Sequence, residues 1–223
     1  MNRALIALSL TGAILGVEAA SWAGSGNIAA RTWDFSADLP GDPPAGFLFT
    51  KTGSGRPGRW VVVSPAKGGA TEKVLAQLDA DDTENRFPMA ISQDVAVRDL
   101  RVSVLCAPVS GNVDRACGIV FRYRNEKNYY LARANALKDD VRLYRVKNGR
   151  REQIGTWEGK VGAGTWHELR AEARGNRFGI YWDGRKVIEA QDDTFPGAGR
   201  VGVWTKADSV TYFRTLKVEP LGP

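Results

Sequence analysis

A chain of 223 residues with 43% hydrophobic residues and seven tryptophans can bury one sizeable core, and all-β chains of this length commonly fold as a single domain. The formal net charge of +6 does not argue for nucleic acid: the arginines are scattered singly, and the densest spot is only the pair Arg150 and Arg151. A single histidine excludes metal chemistry that needs several imidazoles.

In chain order, Arg3, the apolar run 4–15 and the small residues after it read as an export signal with cleavage after Ala19 or Ala23. The run is too short to span a bilayer and remain there. The expected layout is a signal peptide over 1–23 and a single β-sandwich domain over 24–223, exported to the periplasm or the medium without membrane insertion. Residues 24–30 read as a leader, Trp33 and Phe35 as the start of the first strand, and 40–44 as a proline-stiffened connector. Short extended runs follow at 47–51, 60–63, 74–78, 90–93 and 100–106. The loop GSGRPG at 53–58 has no GKS or GKT ending and is no phosphate cradle. Asp79, Asp81, Asp82 and Glu84 crowd one acidic loop; a solvated turn is the preferred reading, with structural calcium held by these hard oxygen ligands left open. No other cofactor is expected.

Cys106 ends one strand-like run and Cys117 begins the next, with Pro108, Gly111 and Asn112 between them. In an exported chain the two are expected to form a disulfide across a hairpin. Residues 118–146 then read as an unbroken meander, because apolar and polar residues alternate along 118–124 and again along 129–135. Even pairing across the turn 125–128 places Arg122, Tyr129, Arg133 and Asn135 on one face. It places Ile119, Phe121, Tyr123, Tyr130, Ala132 and Ala134 on the other. The dipeptides Asn148-Gly149 and Asp183-Gly184 are type I′ hairpin turns, and glycine and proline breaks recur beyond them. Strands at this spacing with no helical pattern between them make the fold class all-β, antiparallel.

The runs GIVFRYRNEKNYYLARANAL, WHELRAEARGNRFGIYWDGRKVIEA and DDTFPGAGRVGVWTKADSVTYF resemble the 3-keto-disaccharide hydrolase-like, or family 16 glycoside hydrolase-like, domains of the concanavalin A-like (LamG-like) jelly rolls. The resemblance is strongest over 118–218 and weak before 100. It implies a jelly-roll sandwich of two antiparallel sheets, one of them concave, in a secreted protein tied to saccharide chemistry. The chain departs from the family pattern at Phe213, which is followed by Arg214 where relatives carry aspartate.

Catalytic signatures are missing. The E-x-D-x-x-E strand of laminarinase-like enzymes, which aims two carboxylates into the cleft, does not occur. Glu168 and Glu172 share a strand face with Arg170 between them and read as a ladder of surface charge. His167 reads as a strand histidine, and the sequence after it, Glu-Leu-Arg-Ala, lacks the second ligand of a zinc HExxH helix. No G-x-S-x-G elbow is present. What remains is a polar face of Arg122, Tyr129, Arg133 and Asn135, completed by Trp204 and Lys206, with Asp208 as its carboxylate. Such a set suits the hydroxyls and C–H faces of a sugar. The leading expectation is a saccharide-binding domain without catalytic machinery. A hydrolase or lyase of glycosides or 3-keto-glycosides, with its general acid from Asp208, Asp139 or Glu168, is the second expectation. An exported domain that binds protein on its concave sheet is the third.

Overall fold

The computed structural model describes residues 29–65 and 72–222; the export segment expected over 1–23 lies outside them. The alternating runs form β1 (Arg31–Trp33), β2 (Phe47–Gly53), β3 (Trp60–Val63), β4 (Val74–Gln77) and β5 (Arg86–Val97). They continue as β6 (Leu100–Ser110), β7 (Ala116–Asn125), β8 (Asn128–Asn135), β9 (Asp140–Lys147) and β10 (Arg150–Glu158). The last are β11 (His167–Arg174), β12 (Arg177–Trp182), β13 (Arg185–Gln191), β14 (Gly199–Trp204) and β15 (Val210–Pro220). One sheet has seven strands in the order β10-β9-β8-β7-β14-β5-β2. The other runs β13-β12-β11-β6-β15-β4-β3, with β1 added against β15. Pairing is antiparallel throughout, as the all-β reading requires.

The two sheets bury one apolar layer between them, because period-two alternation gives each an inner face. Ile119, Phe121, Tyr130 and Ala132 from β7 and β8 meet Val102, Leu169 and Phe178 from β6, β11 and β12 there. Asn148-Gly149 and Asp183-Gly184 both take left-handed φ, at 51° and 78° and at 47° and 80°, which gives the hairpins the twist that type I′ turns provide.

Two readings of the sequence need correction here. Cys106 and Cys117 are joined, but not across a hairpin: β6 belongs to the eight-stranded sheet and β7 to the seven-stranded one. The bond therefore pins the two sheets together, buried within the shared core. Second, β7 and β8 do not pair evenly. Phe121 faces Tyr130 and Asn125 faces Asn128, so Arg122, Tyr123 and Arg124 stand opposite Tyr129 alone. Arg122 absorbs this bulge with φ at 47°, and Tyr123 takes the place beside Tyr129 that even pairing reserves for Arg122.

Arg122 is thereby removed from the candidate site and becomes a fully buried clamp. It donates to the carbonyls of Arg98 (2.9 Å), Phe195 (3.0 Å) and Gly175 (2.6 Å). Those groups lie in three separate connections. Gly199 lacks a side chain where the Arg122 backbone passes; a Cβ there would sit 2.4 Å from the Arg122 carbonyl carbon. At the opposite end of the seven-stranded sheet, buried Arg86 plays the same part. It donates to the carbonyls of Ala207 (2.5 Å) and Arg56 (2.7 Å) and lies 2.9 Å from an Asp79 oxygen. Arg86 and Arg56 thus both pair with Asp79 of the acidic loop.

Replacing both cysteines with alanine is expected to lower unfolding stability by about 3 kcal/mol on the chain-entropy model, measured by urea titration. Arg122→Met is expected to cost about 3 kcal/mol or more, because its buried carbonyl partners are left unsatisfied.

Candidate functional site

The seven-stranded sheet is apolar on both faces. Beside the inner layer it carries a second cluster that includes Met89, Val120, Leu131, Tyr144 and Trp204, all facing away from the other sheet. Register assembles the cluster: Trp204 lies opposite Gly118 and Met89, and Leu131 lies opposite Tyr144. Gly118 makes room for the indole, since a Cβ there would stand 3.1 Å from Trp204 Cε3 and 2.9 Å from a Leu131 methyl. Trp204 stacks on Phe87 with centroids 5.7 Å apart and planes 12° apart.

Guanidinium groups stand over this aromatic floor. The Arg151 Cζ is 4.7 Å from the Phe87 centroid, 4.7 Å from that of Tyr144 and 6.0 Å from that of Trp204. The Arg133 Cζ is 5.8 Å from the Tyr144 centroid. Each contact is a cation–π attraction worth about 0.5–2 kcal/mol, greater where water is excluded.

Two buried carboxylates organise the remaining charge. Asp140, only 2% exposed, binds Arg133 at 2.5 Å and Arg142 at 2.7 Å. Asp114 accepts from Lys206 Nζ at 2.8 Å and from Asn135 Nδ2 at 2.6 Å. Asp114 is itself held by Asp208, whose carboxylate accepts from the backbone N–H groups of Asn112 (2.5 Å), Val113 (3.1 Å) and Asp114 (2.9 Å). Burial pushes the Asp208 pKa up, but those three N–H donors outweigh it and hold the carboxyl below its ordinary range.

The structure thus brings Tyr129, Arg133, Asn135 and Trp204 to one face, with Lys206 and Asp208 in the segment that follows β14. Most of their polar atoms are committed within the protein. Asn135 Oδ1 accepts from the Leu137 and Lys138 N–H groups at 2.8 and 3.1 Å. Tyr129 is 1% exposed, its hydroxyl lies 2.8 Å from Thr52 Oγ1, and burial pushes its pKa up to about 12. Trp204 is fully buried and forms the floor beneath the surface. The sequence reading missed Phe87, Tyr144, Arg142 and Arg151. A signal for three of them existed: Arg142 and Tyr144 alternate along β9, and the two-residue turn at 148–149 sets Arg151 opposite Val146 and Gln153 opposite Tyr144.

No family model matches the chain. The levanase of Bacillus subtilis (strain 168) is 33% identical over 111 residues, which are 49% of this chain and 16% of the levanase. The chain therefore aligns with about a sixth of that curated relative's length. Among solved structures, the carbohydrate-binding module CBM66 from Bacillus subtilis superposes with a TM-score of 0.60 at 26% identity, covering 77% of this chain and 94% of the module. A Bacillus subtilis protein of unknown function with a galectin-like fold gives a TM-score of 0.58 at 9% identity, covering 87% of this chain and 97% of its own. These likenesses carry the concanavalin A-like jelly-roll architecture and do not single out the 3-keto-disaccharide hydrolase family that the sequence resembles.

Asp208→Asn is expected to lower stability at neutral pH by about 2 kcal/mol, the worth of charge-assisted hydrogen bonds to one carboxylate. The folded carboxyl titrates below its unfolded value near 3.8, so its contribution is complete above that pH and is lost as pH falls through the lower folded value. Urea titrations of both proteins should differ at pH 7 and converge as the pH drops below 3.8.

Proposed function

We propose that the outer face of the seven-stranded sheet binds a saccharide, and that the chain works as a non-catalytic binding module of an exported protein. The observation that carries this reading is the aromatic floor of Phe87, Trp204 and Tyr144 with the Arg133 and Arg151 guanidinium groups poised over it. Sugar hydroxyls are met by fixed donors of this kind, and the buried rings hold the Arg151 guanidinium in place at the surface. The likeness to a carbohydrate-binding module over most of both chains supports the same reading.

Two of the three candidates for the hydrolase alternative's general acid, Asp208 and Asp139, are shifted away from that role. A general acid needs a raised pKa. Asp208 is shifted the other way, and so is Asp139, mainly by the Val161 backbone N–H and then by Lys160. Export is supported by the disulfide, which persists in oxidising compartments. Among the described residues no helix is long and apolar enough to cross a membrane.

Affinity electrophoresis and calorimetry against a panel of soluble polysaccharides, levan and uronate polymers included, test the proposal. Retardation by at least one glycan, weakened about tenfold or more in Tyr144→Ala, is the expected outcome. Absence of retardation by every glycan in the panel would overturn it.

A further inference from the structure

Cations on the outer face are unevenly partnered. Arg133 and Arg142 share the single carboxylate of Asp140, and Lys206 neutralises Asp114. Arg151 stands outside both clusters. Burial against the rings lowers the pKa of its guanidinium, and the like charge of Arg133 adds to that. Among the described residues it has no carboxylate within ion-pair distance. Its sequence neighbour Glu152 points to the other face and pairs with Arg145 at 2.5 Å. Glu158, on the same strand, stands opposite Asp140 at the far end of β10.

Arg151 is nevertheless held in place, by three aromatic rings, and its side chain reaches solvent. A guanidinium resting on aromatic faces keeps its N–H edge free as a planar fork, the shape that receives a carboxylate in two parallel hydrogen bonds. Arg133, also near the Tyr144 ring, has a buried Nε with no hydrogen-bond partner. An unsatisfied buried donor beside an unpaired cation leaves this corner short of an anion.

We propose that the saccharide held on this face carries a carboxylate, and that Arg151 receives it. This inference rests on the saccharide-binding reading and narrows it to carboxylated glycans, of which hexuronates are the class proposed. A neutral sugar would leave Arg151 without a carboxylate, whereas a uronate would supply that partner.

Isothermal titration with oligomers of galacturonate, glucuronate and mannuronate, each beside its neutral methyl ester, tests it on the wild type, Arg151→Gln and Arg151→Lys. Wild type is expected to prefer one acid over its ester by about tenfold or more. Arg151→Gln should bind acid and ester alike, and Arg151→Lys should keep part of the preference. The inference falls alone if acid and ester bind wild type equally, if only neutral glycans bind, or if the preference survives in Arg151→Gln. It also falls if dextran sulfate competes equally well in wild type and Arg151→Gln, which would mark general attraction to a chain of net charge +6. If no acidic or neutral glycan binds at all, the saccharide reading falls with it. Unchanged thermal melting of the exposed Arg151 variants separates loss of binding from loss of fold.

Discussion

A charge taken out of water into a β-sandwich costs several kcal/mol unless opposite charge and a full set of hydrogen bonds go with it. That constraint places nearly every polar group around the seven-stranded sheet. Arg86 and Arg122, both fully buried, are tolerable because backbone carbonyls from several connections converge on each, and the same convergence ties down the loops at the two ends of the sheet. Asp140 and Asp114 are tolerable because arginines, a lysine and an amide surround them. Asp208 adds a further layer: by capping the N–H groups of residues 112–114 it fixes the loop that presents Asp114.

Pairing of this kind also separates structural charge from available charge. Side chains that look like ligand contacts in a sequence are largely consumed in these clusters, Asn135 and Lys206 among them. Arg151 differs because its neighbours are aromatic rings, which attract a cation without using its N–H donors. The outer face thus combines an apolar floor, set by Gly118 making room for Trp204, with donors that remain free to act outward.

The meander and its turns were legible because alternation and the Asn-Gly and Asp-Gly dipeptides act locally, and local rules survive folding. Tyr129, Arg133 and Asn135 fell on one face for the same reason. Arg122 did not, because the bulge before Asn125 depends on what the extra residues meet in space: Phe195, Gly175 and Arg98 are distant in sequence. The disulfide pair was readable from two cysteines, yet its role as a link between sheets required knowing that β6 and β7 part company. Whether a charged side chain is free or consumed is likewise a matter of its partners, so Arg151 was not distinguishable by sequence from the many arginines around it.

The central claim is that ligand meets the protein on the outer face of the seven-stranded sheet. Mapping bound glycan by side-chain NMR, through the aromatic signals of Tyr144 and Tyr181 and the guanidinium signals of the arginines, addresses it most directly. Tyr181 lies on the outer surface of the other sheet, beside Arg170 at 4.0 Å, and serves as the internal reference. Saturating glycan should shift Tyr144, Arg133 and Arg151 and leave Tyr181 and Arg170 unmoved; shifts confined to Tyr181 and Arg170 would contradict the account.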